Sequence, residues 1–349
     1  MAGSTFGTIF RVSTWGESHG PGLGAVVDGC PAGIPLQEED FMPYMERRRP
    51  NGGALSTKRT EADKVEILSG VYEGMTTGTP ISLLIRNTDQ HSSDYDALRD
   101  VYRPGHADYG YDRKYGLRDH RGGGRSSGRE TAGRVAAGAI AAKALSMLGV
   151  SFKTEAAAIG GIPFAESSRI EELLADCRSK GDSVGSEVLC TVHGVPAGIG
   201  DPVFDKLDAL LAEAAFSIGA VKALDIGCGR RAALLRGSQN NDPFVMKDGK
   251  AVKSSNHSGG ILGGISDGSD IVLRVFFKPT PSISHLQKTV SRSGEERELG
   301  IHGRHDPVIA PRAAVVVEAM TALVLFDAML RNMSARMSAV ERFYGHSGI

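Results

Sequence analysis

Apolar positions recur along the chain in two rhythms. Ile81 to Ile85 and Ile271 to Phe277 are short, β-branched apolar runs behind glycine turns, a pattern that predicts strands. Thr131 to Leu148 and Ala313 to Leu330 are longer, rich in Ala and Val and apolar on more than one face, which predicts two buried helices. A shorter helix is expected from about Gln37 to Arg48. Its counterpart should begin at Asp201, an N-cap followed by Pro202 at the first helical position, with Phe204, Leu207, Leu210 and Leu211 on one face. Strands and helices alternate without a regular βαβ period, so the expected class is α+β: a sandwich of β-sheets around central long helices.

The chain also resembles itself. Gly29-Cys30-Pro31-Ala32-Gly33-Ile34 recurs as Gly194-Val195-Pro196-Ala197-Gly198-Ile199, and the segment from Gly74 to Ile85 has a counterpart from Gly264 to Val275. The helical run after Arg134 is matched more weakly by one after Arg312. Three pairs in the same order predict an internal duplication with pseudo-two-fold symmetry, its halves spanning about 1–150 and 185–335 within a single domain of residues 1–349.

Composition narrows the class of protein. The chain has 349 residues, 40 basic and 41 acidic side chains and 41% hydrophobic residues, which excludes disorder, collagen and coiled coil. Glycine is in excess, with 45 residues against a usual share of roughly 7%, as expected of a ligand site built from loops. Cys30, Cys177, Cys190 and Cys228 stand singly, so neither a disulfide framework nor a zinc ribbon is indicated. Met1 to Val12 lacks the features of a secretory signal, and Glu318 and Asp327 interrupt the most apolar stretch. A cytoplasmic protein without a membrane span is therefore expected.

Near-zero net charge conceals two basic islands, Arg47 to Arg59 and Arg99 to Arg134. Local islands in a neutral protein suit a small anionic partner better than nucleic acid. Four segments carry candidate chemistry. Gly16-Glu17-Ser18-His19-Gly20 matches the G-x-S-x-G hydrolase pattern, yet a glycine loop and a strand follow where the nucleophile elbow needs a helix, leaving His19 as a proton-handling candidate in a tight turn. Arg103-Pro104-Gly105-His106-Ala107-Asp108 supplies a second histidine. Arg121-Gly122-Gly123-Gly124-Arg125-Ser126-Ser127-Gly128-Arg129-Glu130 opens a helix as an anion cradle and fits neither a Walker A loop nor a dinucleotide fingerprint. Lys278-Pro279-Thr280-Pro281-Ser282 leaves a strand as a stiff loop, and beyond it His302, His305 and Asp306 lack the HExxH helix or fourth ligand of a metal site, so no metal is expected.

Taken together, Gly-Glu-Ser-His-Gly, Arg-Pro-Gly-His-Ala-Asp, Arg-Gly-Gly-Gly-Arg-Ser-Ser-Gly-Arg-Glu-Thr, Gly-Gly-Ile-Leu-Gly-Gly-Ile, Lys-Pro-Thr and Gly-Arg-His-Asp-Pro resemble the chorismate synthase family across nearly the whole chain. The resemblance implies conversion of 5-enolpyruvylshikimate 3-phosphate to chorismate and phosphate with reduced FMN and no net redox change, by a homotetramer, with NADPH as a candidate flavin reductant. It implies flavin contacts at Arg125, Ser126, Ser127, Gly219, Ala220, Gly263, Lys278, Pro279, Thr280, Pro281, Ser282 and Arg304. Substrate contacts are implied at Arg48, Arg49, Arg59, Arg103 and Arg129, and catalytic roles at His19, His106 and Asp306. Three positions depart from the family pattern: Ala54 stands where many members have arginine, Gly128 where alanine is usual, and Gly219 where asparagine is usual. Two other readings compete, a serine hydrolase using Ser18 and a non-catalytic flavin- or nucleic-acid-binding module. The first would turn over simple esters without flavin, and the second would release no phosphate.

Overall fold

The computed structural model describes residues 3–49, 63–87, 98–301 and 306–345. The first part of the chain forms β1 (Thr5–Phe6), β2 (Arg11–Gly16), β3 (Gly22–Asp28), a tight turn of helix leading into α1 (Met42–Arg48), β4 (Val65–Ile67), the small hairpin β5 (Val71–Tyr72) and β6 (Met75–Thr76), and β7 (Ile81–Arg86). Helices α2 (Asp108–Tyr115) and α3 (Thr131–Met147) complete it. Five strands make an antiparallel sheet in the order β1-β2-β3-β7-β4. Along β7, Ile81, Leu83 and Ile85 are fully buried while their neighbours are not, the alternation of a sheet with one face on the core.

The second part runs through β8 (Ser151–Ile159), β9 (Ile162–Pro163), α4 (Ser167–Ser179), β10 (Ser186–His193), α5 (Leu207–Phe216), β11 (Val221–Ile226), α6 (Gly237–Asn240), the hairpin β12 (Phe244–Lys247) and β13 (Lys250–Lys253), and the hairpin β14 (Ile261–Leu262) and β15 (Ile265–Ser266). After these come β16 (Ile271–Phe277), the hairpin β17 (Gln287–Val290) and β18 (Glu296–Leu299), α7 (Ala310–Asn332) and α8 (Met337–Tyr344). Its antiparallel sheet has the order β11-β16-β10-β8-β9.

Helices α3 and α7 lie between the two sheets, α3 on β3 and β7, α7 on β8 and β10, and each against the other. Small residues permit the approach: a Cβ added at Gly138 would fall 2.4 Å from the Ala319 Cβ. Helix α7 is long and apolar enough to cross a membrane, but 89% of its apolar window is buried inside the fold. Near its end Asp327 accepts hydrogen bonds from the backbone N–H groups of Thr8 (3.1 Å), Ile9 (2.7 Å) and Phe10 (2.8 Å), tying the first strands to the last long helix.

The repeated sequences occupy equivalent places. In the first part of the chain Thr76 of the β5–β6 hairpin receives the N–H of Gly33 on its carbonyl (2.9 Å) and that of Ile34 on its Oγ1 (2.9 Å), and donates from N–H to Ile34 O (2.9 Å) and from Oγ1 to Pro31 O (2.7 Å). In the second part Ser266 makes the same four bonds, with Gly198 (2.8 Å), Ile199 (2.9 and 2.8 Å) and Pro196 (2.6 Å).

One helix start differs from expectation. Residues 201–206 are not helical, α5 begins at Leu207, and Phe204 is 92% exposed instead of sharing the apolar face. The Leu207 N–H is already engaged by the Gly264 carbonyl of the β14–β15 hairpin (2.8 Å). Asp201 and Asp205 turn their carboxylates to Arg331 on α7, at 3.6 and 2.6 Å, instead of capping α5.

Candidate active site

His19 sits in the tight turn between antiparallel β2 and β3. That geometry is not the strand-turn-helix elbow of a hydrolase, and Ser18 Oγ instead lies 3.0 Å from His19 Nδ1. Asn87 holds the turn, its Nδ2 donating to the carbonyls of Glu17 (3.0 Å) and Gly20 (2.8 Å). The glycine-rich loop presses onto the histidine: a Cβ at Gly122 would lie 2.2 Å from His19 Nδ1. This explains a glycine at a position whose backbone does not itself require one. Arg125 then reaches back to β2, donating to the carbonyls of Gly16 (3.1 Å) and Thr14 (3.0 Å).

The loop passes through two short helical turns, Gly124–Ser126 and Gly128–Glu130, into α3, with the Ser127 hydroxyl capping the second by accepting the Arg129 N–H (3.2 Å). Ser126 Oγ donates to the Gly123 carbonyl (2.7 Å). Arg48 and Arg129 are both buried, and their guanidinium groups converge on one carboxylate, Asp63, whose side chain is fully buried. Arg48 donates to Asp63 at 2.7 Å and to Thr131 Oγ1 at 3.2 Å, while Arg129 Nε donates to Asn87 Oδ1 at 3.0 Å. Arg49 remains partly exposed beside Glu46, 3.6 Å away. Asp306 pairs with Arg312, whose Nε donates to the Arg48 carbonyl (2.9 Å), so the Asp306 side chain joins this arginine group.

A second wall is built around His106. Arg103 and Asp108 form a buried bidentate pair at 2.8 and 2.7 Å, and Arg118 adds a second cation to Asp108 at 2.7 Å. Burial raises the Asp108 pKa, but the hydrogen bonds and charge of Arg103, with Arg118, outweigh it and hold the carboxyl at about 2. His106 moves the other way: burial first, then the Arg103 charge, lower its pKa to about 4. Its ring lies 2.9 Å from Ser282 Oγ, and Lys278 Nζ donates to the Gly105 carbonyl (2.7 Å). The loop from Lys278 to Ser282 therefore meets the Pro104-Gly105 turn directly, with Ala220 joined to it through the Lys278 N–H (2.9 Å).

Beside these groups lies a cavity of about 760 Å³, whose lining includes neither His19 nor His106, and none of Arg48, Arg49, Arg103, Arg129, Asp306 or the Lys278–Ser282 loop. Glu17 and residues 122–126 line one side, Ala107, Asp108 and Arg118 another, and Arg134 and Ser217 a third. The described chain does not bring every expected residue here. Gly263 lies in the β14–β15 hairpin, which touches the N-terminal end of α5, whereas Gly219 and Ala220 follow its C-terminal end, roughly 15 Å away along ten helical residues. Arg59 and Arg304, together with Ala54, His302 and His305, lie outside the described residues. Sequence reasoning missed Asp63, Asn87 and Gly122. Of these only Gly122 had a signal, its place in the triple glycine, because Asp63 and Asn87 acquire their partners from distant elements.

Two histidine loops and clustered arginines beside one cavity, on an α+β sandwich, are features of an enzyme site for a small ligand. Comparison with known proteins makes the class specific. The sequence profile of the chorismate synthase family matches residues 10–330. The chorismate synthase of Lachnospira eligens is 56% identical, covering 99% of this chain and 100% of the relative, and that of Methanosarcina mazei is 53% identical, covering 95% and 97%. A crystal structure of chorismate synthase matches with a TM-score of 0.75 at 31% identity, covering 97% of this chain and 96% of the other. The chain belongs to the chorismate synthase family. It is accordingly a carbon-oxygen lyase of the final shikimate-pathway step, in a family that works with a flavin.

Proposed function

We propose that the chain eliminates phosphate from 5-enolpyruvylshikimate 3-phosphate with the flavin bound as reduced FMN in the cavity beside the His19 and His106 loops. The observation that carries this is a cavity large enough for a cofactor and substrate together, lined by Glu17 of the His19 turn and by Ala107 and Asp108 next to His106, though by neither imidazole itself. The lining suits such a group. Arg125 and Ser126 border the cavity, and on the adjoining loop the buried Thr280 Oγ1 has no hydrogen-bond partner among the described residues. Arg125, Ser126, Ser127, Lys278 to Ser282, Ala220 and Arg304 would hold the cofactor, with Gly219 at the same helix end. Gly263, at the far end of α5, would be contributed by a neighbouring protomer of a homotetramer. When bound, reduced flavin supplies an electron-rich partner for the substrate ring without net redox change.

The chain's own residues do the rest. His19 gives a proton to the departing phosphate, its ring placed by Ser18 and by the bare Gly122 backbone. His106 handles a second proton on the cofactor side. Asp306, positioned by Arg312, receives a third. Arg49 and Arg59 meet the substrate's phosphate and carboxylates, within the positive field of Arg48, Arg103 and Arg129. NADPH is the candidate reductant of the flavin, and the enzyme works in the cytoplasm. The equivalent bonding of Thr76 and Ser266 in the two small hairpins supports a duplicated origin for the two halves of the chain.

The test is anaerobic incubation with the substrate and photoreduced FMN, following chorismate absorbance and released phosphate. Many turnovers per flavin are expected. Stoppage after one turnover per reduced FMN would overturn the mechanism.

A further inference from the structure

His106 is held at both ring nitrogens. Nδ1 lies 3.0 Å from the Pro104 carbonyl oxygen and Nε2 lies 2.9 Å from Ser282 Oγ. A carbonyl offers no hydrogen, so the first contact is a bond only if Nδ1 carries the proton. Nε2 is then a lone pair whenever the ring is neutral, and the Ser282 hydroxyl donates to it.

The surroundings keep the ring neutral. Arg103 faces it from its own loop, and Lys278 from the segment leaving β16, with Lys222 on β11 acting on Lys278 in turn. Asp108 is the opposing carboxylate, and it is shared between Arg103 and Arg118. Burial and these cations place the ring's titration near pH 4, so at neutral pH it holds one proton. The serine is also held in place. Prolines at 279 and 281 stiffen its loop, and the Gly105 turn packs so closely that a Cβ there would lie 2.7 Å from the Pro281 Cβ.

We propose that Ser282 is a positioning residue that fixes His106 as the Nδ1–H tautomer and makes Nε2 the atom through which the ring accepts a proton. This rests on the reading in which His106 handles a proton beside the cofactor. Protonation at Nε2 reverses the contact: the new N–H donates, the serine oxygen accepts, and the serine hydrogen swings away from the ring. Each proton gained by the ring therefore reorients one hydroxyl on the flavin-side loop. Alanine at this position removes the donor, whereas threonine keeps it.

The experiment uses the full chain labelled with 15N-histidine, without cofactor or substrate, the His106 signals being identified by their loss in His106→Asn. Long-range 1H–15N correlations in the unsubstituted chain should show the Nδ1–H tautomer from neutral pH down past 6. In Ser282→Ala, losing the charge-assisted bond that the protonated ring donates to the serine oxygen, stronger than the one the neutral ring accepts, should lower the titration midpoint by roughly half to one pH unit. Ser282→Thr should restore the original midpoint. An Nε2–H tautomer in the unsubstituted chain would overturn the proposal whether or not Ser282→Ala folds, and so would an unchanged midpoint in folded Ser282→Ala. Undiminished turnover by His106→Asn would overturn only the catalytic reading and leave the tautomer assignment standing.

Discussion

His106 illustrates how one buried ring couples proton affinity to stability. In the fold it takes a proton near pH 4, whereas an exposed histidine does so near 6.5. Between those values the unfolded chain binds more protons than the folded one, so stability falls as pH drops through the window, and above 6.5 the group has no effect. Thermal unfolding of His106→Asn should accordingly show a shallower loss of midpoint from pH 6.5 to 4 than the unsubstituted protein. Equal slopes would mean that the ring titrates as freely in the fold as outside it. A second expectation concerns Gly122, whose missing side chain makes room for His19. Gly122→Ala should displace that ring and lower kcat by roughly a hundredfold, the low end of what a general acid contributes. Its unfolding midpoint should stay within a few degrees. Full activity would show that the His19 ring tolerates displacement or is not needed.

Among elements, two glycines in helices predict opposite outcomes for the same substitution. Gly138 of α3 faces Ala319 of α7 with its Cβ position 2.4 Å from that Cβ and 2.6 Å from the Cα, so Gly138→Ala must push the helices apart. A loss of about 1–3 kcal/mol is expected from the overpacking, exceeding the gain in helix propensity. Gly110 of α2 has open space at the same point, so Gly110→Ala should stabilise by up to ~1 kcal/mol. Urea unfolding of both variants checks the pair, and a shift of the same sign in each would refute the packing account. Elements of this kind were legible in the sequence wherever periodicity and burial agree. β16 spans the very residues expected, and α3 and α7 differ from expectation by no more than a few residues at either end. The start of α5 was not legible, because Asp201 and Pro202 carry the local signal of a helix while a hairpin far along the chain claims the Leu207 N–H. In the site, the histidine and glycine loops announced themselves as motifs. The inward turn of Arg48 and Arg129 did not, since a basic island reads alike whether its heads meet a ligand or Asp63.

For the molecule as a whole, each sheet leaves one face on the pair of helices between them, and α7 serves both the second sheet and the first through α3. Asp327 adds a tie across more than three hundred residues, satisfying three N–H groups next to β2. Asp327→Ala leaves those donors without their carboxylate at a site where Phe10 is buried, so a loss of about 2–4 kcal/mol is expected in denaturant titration. A cost within ~0.5 kcal/mol would show that water replaces the carboxylate there. The same tie has a consequence for synthesis. Strands β1 to β7 leave the ribosome early, yet the helix that completes their core is among the last segments translated, and at ~5–20 residues per second the wait is on the order of ten seconds or more. Nascent chains stalled before residue 310 should therefore stay open to protease across the first sheet, and protection should appear only once α7 has emerged.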